Sequence, residues 1–336
     1  MSQISVIDAD PSDPDQMRAL ADLVQKQAEW HKIDAPPNPE KLSAALGGDN
    51  PVARVLILLQ DDVPKGYLLY NSGFHYDGNG KLQPMIYMED LYCPGIRIDG
   101  EKIKSGGQKL MEALCTKFAG VDFIEWVAAD DNPVAHRFYT RIESVVKSHE
   151  GVYDLSQILE ETNGPDEYLF DTTVAHLDDF GFLNNQLGSI DGLWGALQAE
   201  HTKVLYVTND DGQILLALFA NKNFSSFRNV TGFETVQPAY APGHTPEVYQ
   251  AALEAGFAGL AQHARAENLD GHLFACFAVE DQIGQKFLTD NNHGFLLMRD
   301  DAPESRLRKI TWPHPVRREL TEKWVADPGD SFSIRM

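Results

Sequence analysis

Hydrophobic and polar residues alternate in "QISVIDA" (Gln3 to Ala9), which predicts a strand. They then take a three-and-four spacing in "DPDQMRALADLVQKQAEW" (Asp13 to Trp30), which predicts a helix opened by Asp and Pro. A proline-rich connection, "IDAPPNPE", leads to a short helix. In "ARVLILLQDDVPKGYLLYNSGF" (Ala53 to Phe74) two β-rich runs flank an Asp/Pro/Gly turn, the form of a hairpin. A third strand, "PMIYMEDLYC", is predicted up to Cys93, with a helix from Gln108 to Phe118 after it. The strand "DFIEWVAA", a helix from Asn132 to Tyr139 and a last strand near "SVVKSH" or "GVYDLS" complete the set. Strands that meander and then alternate with helices predict an α/β (α+β mixed sheet) fold.

The pattern then returns. "RVLILLQDDVPKGYLLY" from Arg54 matches "KVLYVTNDDGQILLALF" from Lys203 without gaps, 149 residues later, and the same offset sets "DNPVAHRFY" against "EDQIGQKFL". The expectation is a tandem duplication: a first domain over 1–158, a second over 166–300 and a C-terminal arm over 301–336, with "LEETNGPDE" (Leu159 to Glu167) as linker. The basic tail "RLRKITWPHPVRRELTEKW" reads as a solvated arm closing back on a domain, with an anion site as the alternative.

Composition narrows the functions. The chain has 336 residues, 28 basic and 50 acidic, for a net charge of -22. Such an excess of acid repels phosphate backbones and anionic membranes, so neither a nucleic acid nor a membrane is an expected partner, and a cationic small molecule is favoured. Cys93, Cys115 and Cys276 stand far apart, without the spacing of a disulfide framework or a metal site. The first residues lack the features of a signal peptide, and no apolar run approaches the roughly 18 residues of a span, so the expected location is cytoplasmic.

Candidate chemistry starts at "KIKSGG" (Lys102 to Gly107), between the strand ending at Cys93 and a helix whose Leu110, Leu114 and Phe118 form an apolar stripe. A glycine-rich turn at a helix N-terminus presents backbone N–H groups to an anion, and Lys102 and Lys104 add positive charge. By itself such a segment fits a plain turn equally well.

The flanking segments add to it. "MIYMEDLYCPG" before the loop and "VAADDNPVAHRFYTRI" after it resemble the GCN5-related N-acetyltransferase (GNAT) superfamily. That resemblance implies a pyrophosphate loop at Lys102, Ile103, Lys104, Ser105, Gly106 and Gly107, continued by Gln108. It also implies that Leu91, Tyr92 and Cys93 pair through their backbone with the pantetheine of acetyl-CoA, and that Asn132, Ala135 and Phe138 belong to the cofactor-binding helix. Lys102 replaces the usual Arg or Gln, Ser105 replaces the first glycine, and "IRIDG" lengthens the approach by about three residues. The implied reaction is direct attack of an amine on the thioester, with Tyr139 as general acid. Glu89 is implied as general base or as an anionic clamp for an ammonium group. Alternation along the strand sends Glu89 and Asp90 to opposite faces, so one of them faces the cleft.

"NSGFHYDGNGKLQPMIYMEDLYC" with "SHEGVYDLS" resembles the diamine and polyamine N-acetyltransferase branch, which implies an acidic acceptor site. Trp30 and His31 fall in the family's substrate-shaping region, although packing is the simpler expectation for them. In the second unit Leu288 stands at the place of Tyr139, Asp281 at that of Asn132 and Glu234 at that of Glu89, and "PAYAPGH" carries no phosphate motif. The expectation is therefore one acetylating unit and one degenerate unit, as a monomer with an internal pseudo-dimer or as a homodimer, with no metal. A regulatory module that binds acyl-CoA or amine without turnover is the competing expectation.

Overall fold

The computed structural model describes residues 3–31, 37–94, 106–119, 121, 123–129, 145–154, 170–226, 229–269, 272–278, 280–289, 295–296 and 307–313. The predicted helix at Asn132 to Tyr139 and the linker lie outside these residues. Strand β1 (Ile4–Asp8) leads into α1 (Pro14–His31), whose first turn is capped by Asp13: its Oδ1 accepts from the N–H of Asp15 at 2.9 Å and of Gln16 at 3.2 Å. Helix α2 (Pro39–Leu46) is capped in the same way by Asn38, which accepts from Lys41 N–H at 3.0 Å. Strands β2 (Arg54–Gln60) and β3 (Val63–Tyr76) turn through Asp61 (φ 51°) and Asp62 (φ 61°), the two positive values that a two-residue primed hairpin requires. Next come β4 (Leu82–Tyr92), α3 (Gly106–Lys117), β5 (Phe123–Ala129) and β6 (Val145–Asp154). Strand β6 runs through both segments that the sequence offered as alternatives.

The second unit repeats the order. It contains β7 (Asp171–Val174), α4 (Phe180–Leu187), α5 (Leu193–Gln198), β8 (Thr202–Thr208), β9 (Ile214–Ser225), β10 (Val230–Thr235) and β11 (Ala239–Tyr240). It continues with α6 (Pro246–Ala266), β12 (His272–Ala278), α7 (Gln282–Thr289), β13 (Phe295–Leu296) and β14 (Leu307–Pro313). Both hairpins carry a bulge at matching places, Leu58/Leu59 and Val207/Thr208. The gapless match fails beyond the turn, however: Arg54 faces Tyr70, whereas Lys203 faces Ala220 in place of Phe219. The second turn is one residue longer, with Gly212 at φ 71° after Asp210 and Asp211. From there Asn221 is the counterpart of Asn71.

The strands form one sheet in the order β1-β2-β3-β4-β5-β14-β6-β12-β10-β9-β8-β7, with β11 on β9 and β13 on β6. The tail segment Leu307–Pro313 is thus a strand, hydrogen-bonded to β5 on one edge and to β6 on the other: the expected arm closes back on a domain there, as a paired strand in place of a solvated segment. The exchange is reciprocal, since β6 of the first unit borders β12 of the second. Alternation in β2 sends Leu56 and Leu58 to the α3 side, against Leu110 and Leu114, and Val55 and Ile57 to the α1–α2 side, against Leu20, Val24 and Leu42. The end of the β3–β4 hairpin enters the second unit's core, where Tyr76, Leu82, Met85 and Tyr87 pack with Leu183, Leu193 and Phe219. Phe224 makes the return insertion into the α1–α2 core.

Between these insertions β3 crosses β9. Asn221 Nδ2 donates to the Phe74 carbonyl at 3.0 Å, and its Oδ1 accepts from Phe74 N–H at 3.1 Å and from the Thr202 hydroxyl at 2.9 Å. Asn71 Nδ2 donates to the Lys222 carbonyl at 3.0 Å. The strands meet closely at Gly73, where an added Cβ would lie 2.5 Å from Asn221 Cγ. No helix among the described residues is long and apolar enough to cross a membrane.

Removing Asn221 strands several buried polar groups at once, so Asn221→Ala should lower the unfolding free energy by about 3 kcal/mol and Asn71→Ala by about 1 kcal/mol. Urea titrations measure both. Equal, small losses would mean that the crossing is held by apolar contact alone.

Candidate active site

Strands β4 and β5 run parallel and pair only at Met85 with Phe123, Ile86 with Ile124 and Tyr87 with Glu125. Beyond that point they part, β4 continuing to Tyr92 and β5 to Ala129, while β14 lies along the opposite edge of β5 over its whole length. A bulge accompanies the departure: Tyr70 faces Met88 and Leu69 faces Asp90, so Glu89 is the extra residue, and the added local twist bends β4. The edge of β4 that leaves β5 includes the backbone of Leu91 and Tyr92, with Cys93 next. Helix α3 follows in the chain and opens with Gly106, Gly107 and Gln108, all buried. Its first backbone N–H groups have no helical acceptor, and the helix dipole makes that end positive. Lys102, Ile103, Lys104 and Ser105 lie outside the described residues, as do Asn132, Ala135, Phe138 and Tyr139.

Of the two neighbouring acids, Asp90 turns inward. It is 1% exposed and accepts from the Ser226 hydroxyl of the second unit and, at 3.4 Å, from Gln27 Nε2 on α1. Gln27 in turn accepts from the Tyr67 hydroxyl at 2.5 Å. Burial raises the Asp90 carboxyl to about 6, opposed by the Ser226 and Tyr67 hydroxyls. Burial and the neighbouring Asp90 push the Tyr67 phenol up as well. Asp90 is therefore a sealed junction between units, poorly placed to meet a substrate. Glu89 is half-buried. Trp30 sits half-buried near the end of α1, one turn past Gln27, and His31 closes the helix. Cys93 is buried, which pushes its thiol up to about 12 and leaves it un-ionised at neutral pH.

The sequence reading missed a further pair. His75 on β3 reaches over β4 to Glu125 on β5, with Nδ1 and Oε1 2.7 Å apart. Glu125 is fully buried and His75 half-buried. Tyr87 and Glu125 close the parallel ladder, so Glu125 stands where the strands part, whereas His75 lies opposite Gln83, before the ladder begins. The available signal was a Glu inside the apolar run "FIEWVAA", an acid on a strand otherwise fit for a core.

The second unit is built alike and occupied differently. Strands β10 and β12 also pair briefly, Phe233 with Leu273 and Glu234 with Phe274. Because Asn221 faces Glu234 as Asn71 faces Tyr87, Glu234 takes the place of Tyr87, and its match to Glu89 is corrected. Where that cleft would open, Asp281 Oδ2 accepts from Gln237 Nε2 at 2.6 Å and from the Tyr240 hydroxyl at 3.0 Å. Its Oδ1 caps α7, accepting from the N–H groups of Ile283 and Gly284 at 3.1 and 2.9 Å. The N-terminus of α6 carries Pro246, which lacks an N–H, and then Glu247, whose own N–H and the Thr245 hydroxyl hold its carboxyl below the usual range. An anion at that helix end would meet a carboxylate already in place.

No protein-family model matches the chain, and no curated protein matches it. Among solved structures its fold is that of the tandem GNAT protein from the clavulanic acid biosynthesis pathway, solved without AcCoA, at 12% identity and a TM-score of 0.51, covering 93% of this chain and 99% of that one. At that identity the likeness defines the fold, a mixed α/β tandem GNAT arrangement. Two looser likenesses carry no weight. One is to the GCN5-related glucosamine N-acetyltransferase region of a fungal multi-domain GH3 β-N-acetylglucosaminidase, at 12% identity and TM-score 0.49, covering 93% of this chain and 38% of that one. The other is to a GCN5-related N-acetyltransferase from Anabaena variabilis ATCC 29413, at 12% identity and TM-score 0.40, covering 92% and 72%.

The raised carboxyl of Asp90 gives a pH test. A buried acid that binds its proton more tightly folded than unfolded favours the fold at low pH and loses that advantage as pH rises through about 6. Asp90→Asn keeps a hydrogen-bonding partner for Ser226 and carries no charge, so its unfolding free energy relative to wild type should rise between pH 4 and pH 7, by roughly 2 kcal/mol. Denaturant titrations at the two pH values measure the difference; a pH-independent difference would contradict it.

Proposed function

We propose that the chain is an N-acyltransferase that uses acetyl-CoA, and that its first unit carries acetyl transfer to a small primary amine, cationic in solution. The observation that carries this reading is the parting of β4 from β5 beyond Tyr87 and Glu125, with a glycine-headed helix next in the chain. A pantetheine arm along the departing edge of β4 would pair with the backbone of Leu91, Tyr92 and Cys93 as an added strand. A diphosphate would meet the N–H groups of Gly106, Gly107 and Gln108 at the positive end of α3, with Lys102 and Lys104 shortly before it in the chain. Asn132, Ala135 and Phe138 would complete the cofactor side.

The residues favour direct transfer. With Cys93 held as a thiol, an acyl-enzyme on it is unsupported, and the amine nitrogen attacks the thioester carbonyl itself. The C–N bond forms, the C–S bond breaks, and Tyr139 gives a proton to the departing sulfur. Glu89 acts as the anionic clamp for the ammonium form of the substrate, with Trp30 and His31 bordering the acceptor. A net charge of -22 concentrates cations near the molecule, which agrees with a diamine or polyamine acceptor.

A thiol-release assay with acetyl-CoA over diamines, amino acids and aminoglycosides tests the reading, with release expected for at least one cationic amine. Tyr139→Phe should lower kcat about 100-fold while leaving KM for acetyl-CoA nearly unchanged. Binding of acetyl-CoA without release for every amine would favour the regulatory reading, and an unimpaired Tyr139→Phe would remove that residue as the acid.

A further inference from the structure

We infer that the second unit carries a binding site of its own, for a small organic cation made of an ammonium group on an aliphatic chain. Such a site is independent of the acyl-transfer reading. A cavity of about 640 Å³ opens between two walls, over a floor at the start of β8 (Thr202 to Val204). One wall is the segment after β7, up to Asp178; the other is the C-terminal end of α5 with the turn after it, Leu197 to Glu200.

Local hydrogen bonds hold these walls in place. Ala175 N–H donates to the Val204 carbonyl at 2.7 Å, and the strand then gives way to a tight turn in which His176 N–H donates to Asp179 Oδ2 at 2.8 Å. On the other wall Ala199 N–H donates to the Ala196 carbonyl at 3.2 Å and Thr202 N–H to the Ala199 carbonyl at 3.3 Å, which ends α5 and starts β8. The first unit has the same layout in closed form. There Ala9 N–H donates to the Val55 carbonyl at 2.9 Å, as Ala175 does to Val204, but the Ser43 hydroxyl on α2 also donates to the Pro11 carbonyl at 2.9 Å and ties the helix to the segment after β1. The cavity is thus a property of the second unit.

Charge selects a cation. Asp178 and Glu200 stand on opposite walls, both exposed and, among the described residues, neither hydrogen-bonded nor ion-paired. Lys203 is engaged elsewhere, with Nζ 3.2 Å from Glu267 Oε1 at the end of α6. Alternation along β8 sends it to that side and leaves Val204 on the α5 side, packed with Leu193 and Ala196. The Thr202 hydroxyl is engaged by Asn221 at 2.9 Å, and His176 is the remaining ionisable side chain of the walls. An anion entering here would meet two carboxylates.

The apolar lining selects the rest of the ligand. Leu177 and Leu197 line the walls, and Leu177 is 39% exposed. Trp194, 47% exposed, stands one turn before Leu197 and Gln198 on α5, its ring edge-on to Phe180 at 5.2 Å. Among the described residues the exposed large apolar side chains are Val63, Leu177, Phe182 and Trp194, so three of the four belong to this part of the chain. Exposed ion pairs contribute little by themselves, so most of the affinity must come from the aliphatic chain.

Calorimetry of the full chain with octylamine, at about 0.15 M salt and without acetyl-CoA, tests the site whether or not the protein transfers acetyl groups. One octylamine per chain should bind through Asp178 and Glu200, with a Kd below about 1 mM. Butylamine should bind about tenfold more weakly and octanoate should not bind. Asp178→Asn with Glu200→Gln should weaken that octylamine site about tenfold, whereas Asp210→Asn with Asp211→Asn, which removes two exposed acids at the β8–β9 turn, should change it by less than about twofold. Any octylamine held in the first unit's cleft would keep its affinity in both variants. The change in tryptophan fluorescence on adding octylamine should be lost in Trp194→Phe. No binding by wild type, equal binding of octanoate or butylamine, an Asp178/Glu200 variant that binds as wild type, or equal losses in the two double variants would each overturn the site.

Discussion

The crossing of β3 over β9 is the contact on which the rest of the molecule depends. Asn221 serves the N–H and C=O of Phe74 and the hydroxyl of Thr202, and Asn71 serves the carbonyl of Lys222, where water has little access. Each such group left unmade would cost about 1–3 kcal/mol, so the contact is stable only when complete. That requirement fixes the relative position of the units closely enough for Phe224 and the Tyr76–Leu82 hairpin end to enter each other's cores. The strand exchange follows from the same placement, with β14 against β5 and β6 against β12. Two units joined in this way share their cores, each holding side chains of the other.

Within that near-symmetric frame the two clefts have diverged through a few side chains. In the first, a glycine pair heads the helix after the parted strand, and nothing charged competes with an incoming phosphate at those two positions. In the second, Asp281 ties Gln237 and Tyr240 across the opening, and Pro246 and Glu247 fill the helix end. In the second unit these positions are taken up by its own hydrogen bonds. Its contribution to the first unit is direct: Ser226 reaches the Asp90 carboxylate, and Asn229 accepts from Asn38 N–H at 2.7 Å at the start of α2.

Much of this could be read from local pattern. The Asp13 and Asn38 caps, the alternation in β2 and the helical stripe of α3 are properties of short segments, and short segments obey propensity and period. The duplication was visible because both hairpins keep their apolar runs. Its register beyond the turn was hidden, because one extra turn residue shifts a strand without changing its composition. The polar contacts of the site were hidden for another reason. Gln27 to Asp90, Asp90 to Ser226 and His75 to Glu125 join residues far apart in the chain, and each side chain looks fit for solvent until the fold buries it. The strand Leu307–Pro313 was missed because basic residues interrupt its alternation and its partners belong to the other unit.

On the proposed function, one of the two clefts accepts a CoA ester and the other is filled by its own side chains. Calorimetric titration of the full chain with acetyl-CoA tests it most directly. One site per chain is predicted, abolished by Gly107→Asp at the head of α3 and retained by Glu247→Gln at the head of α6. Two sites per chain, or a single site that survives Gly107→Asp, would contradict it.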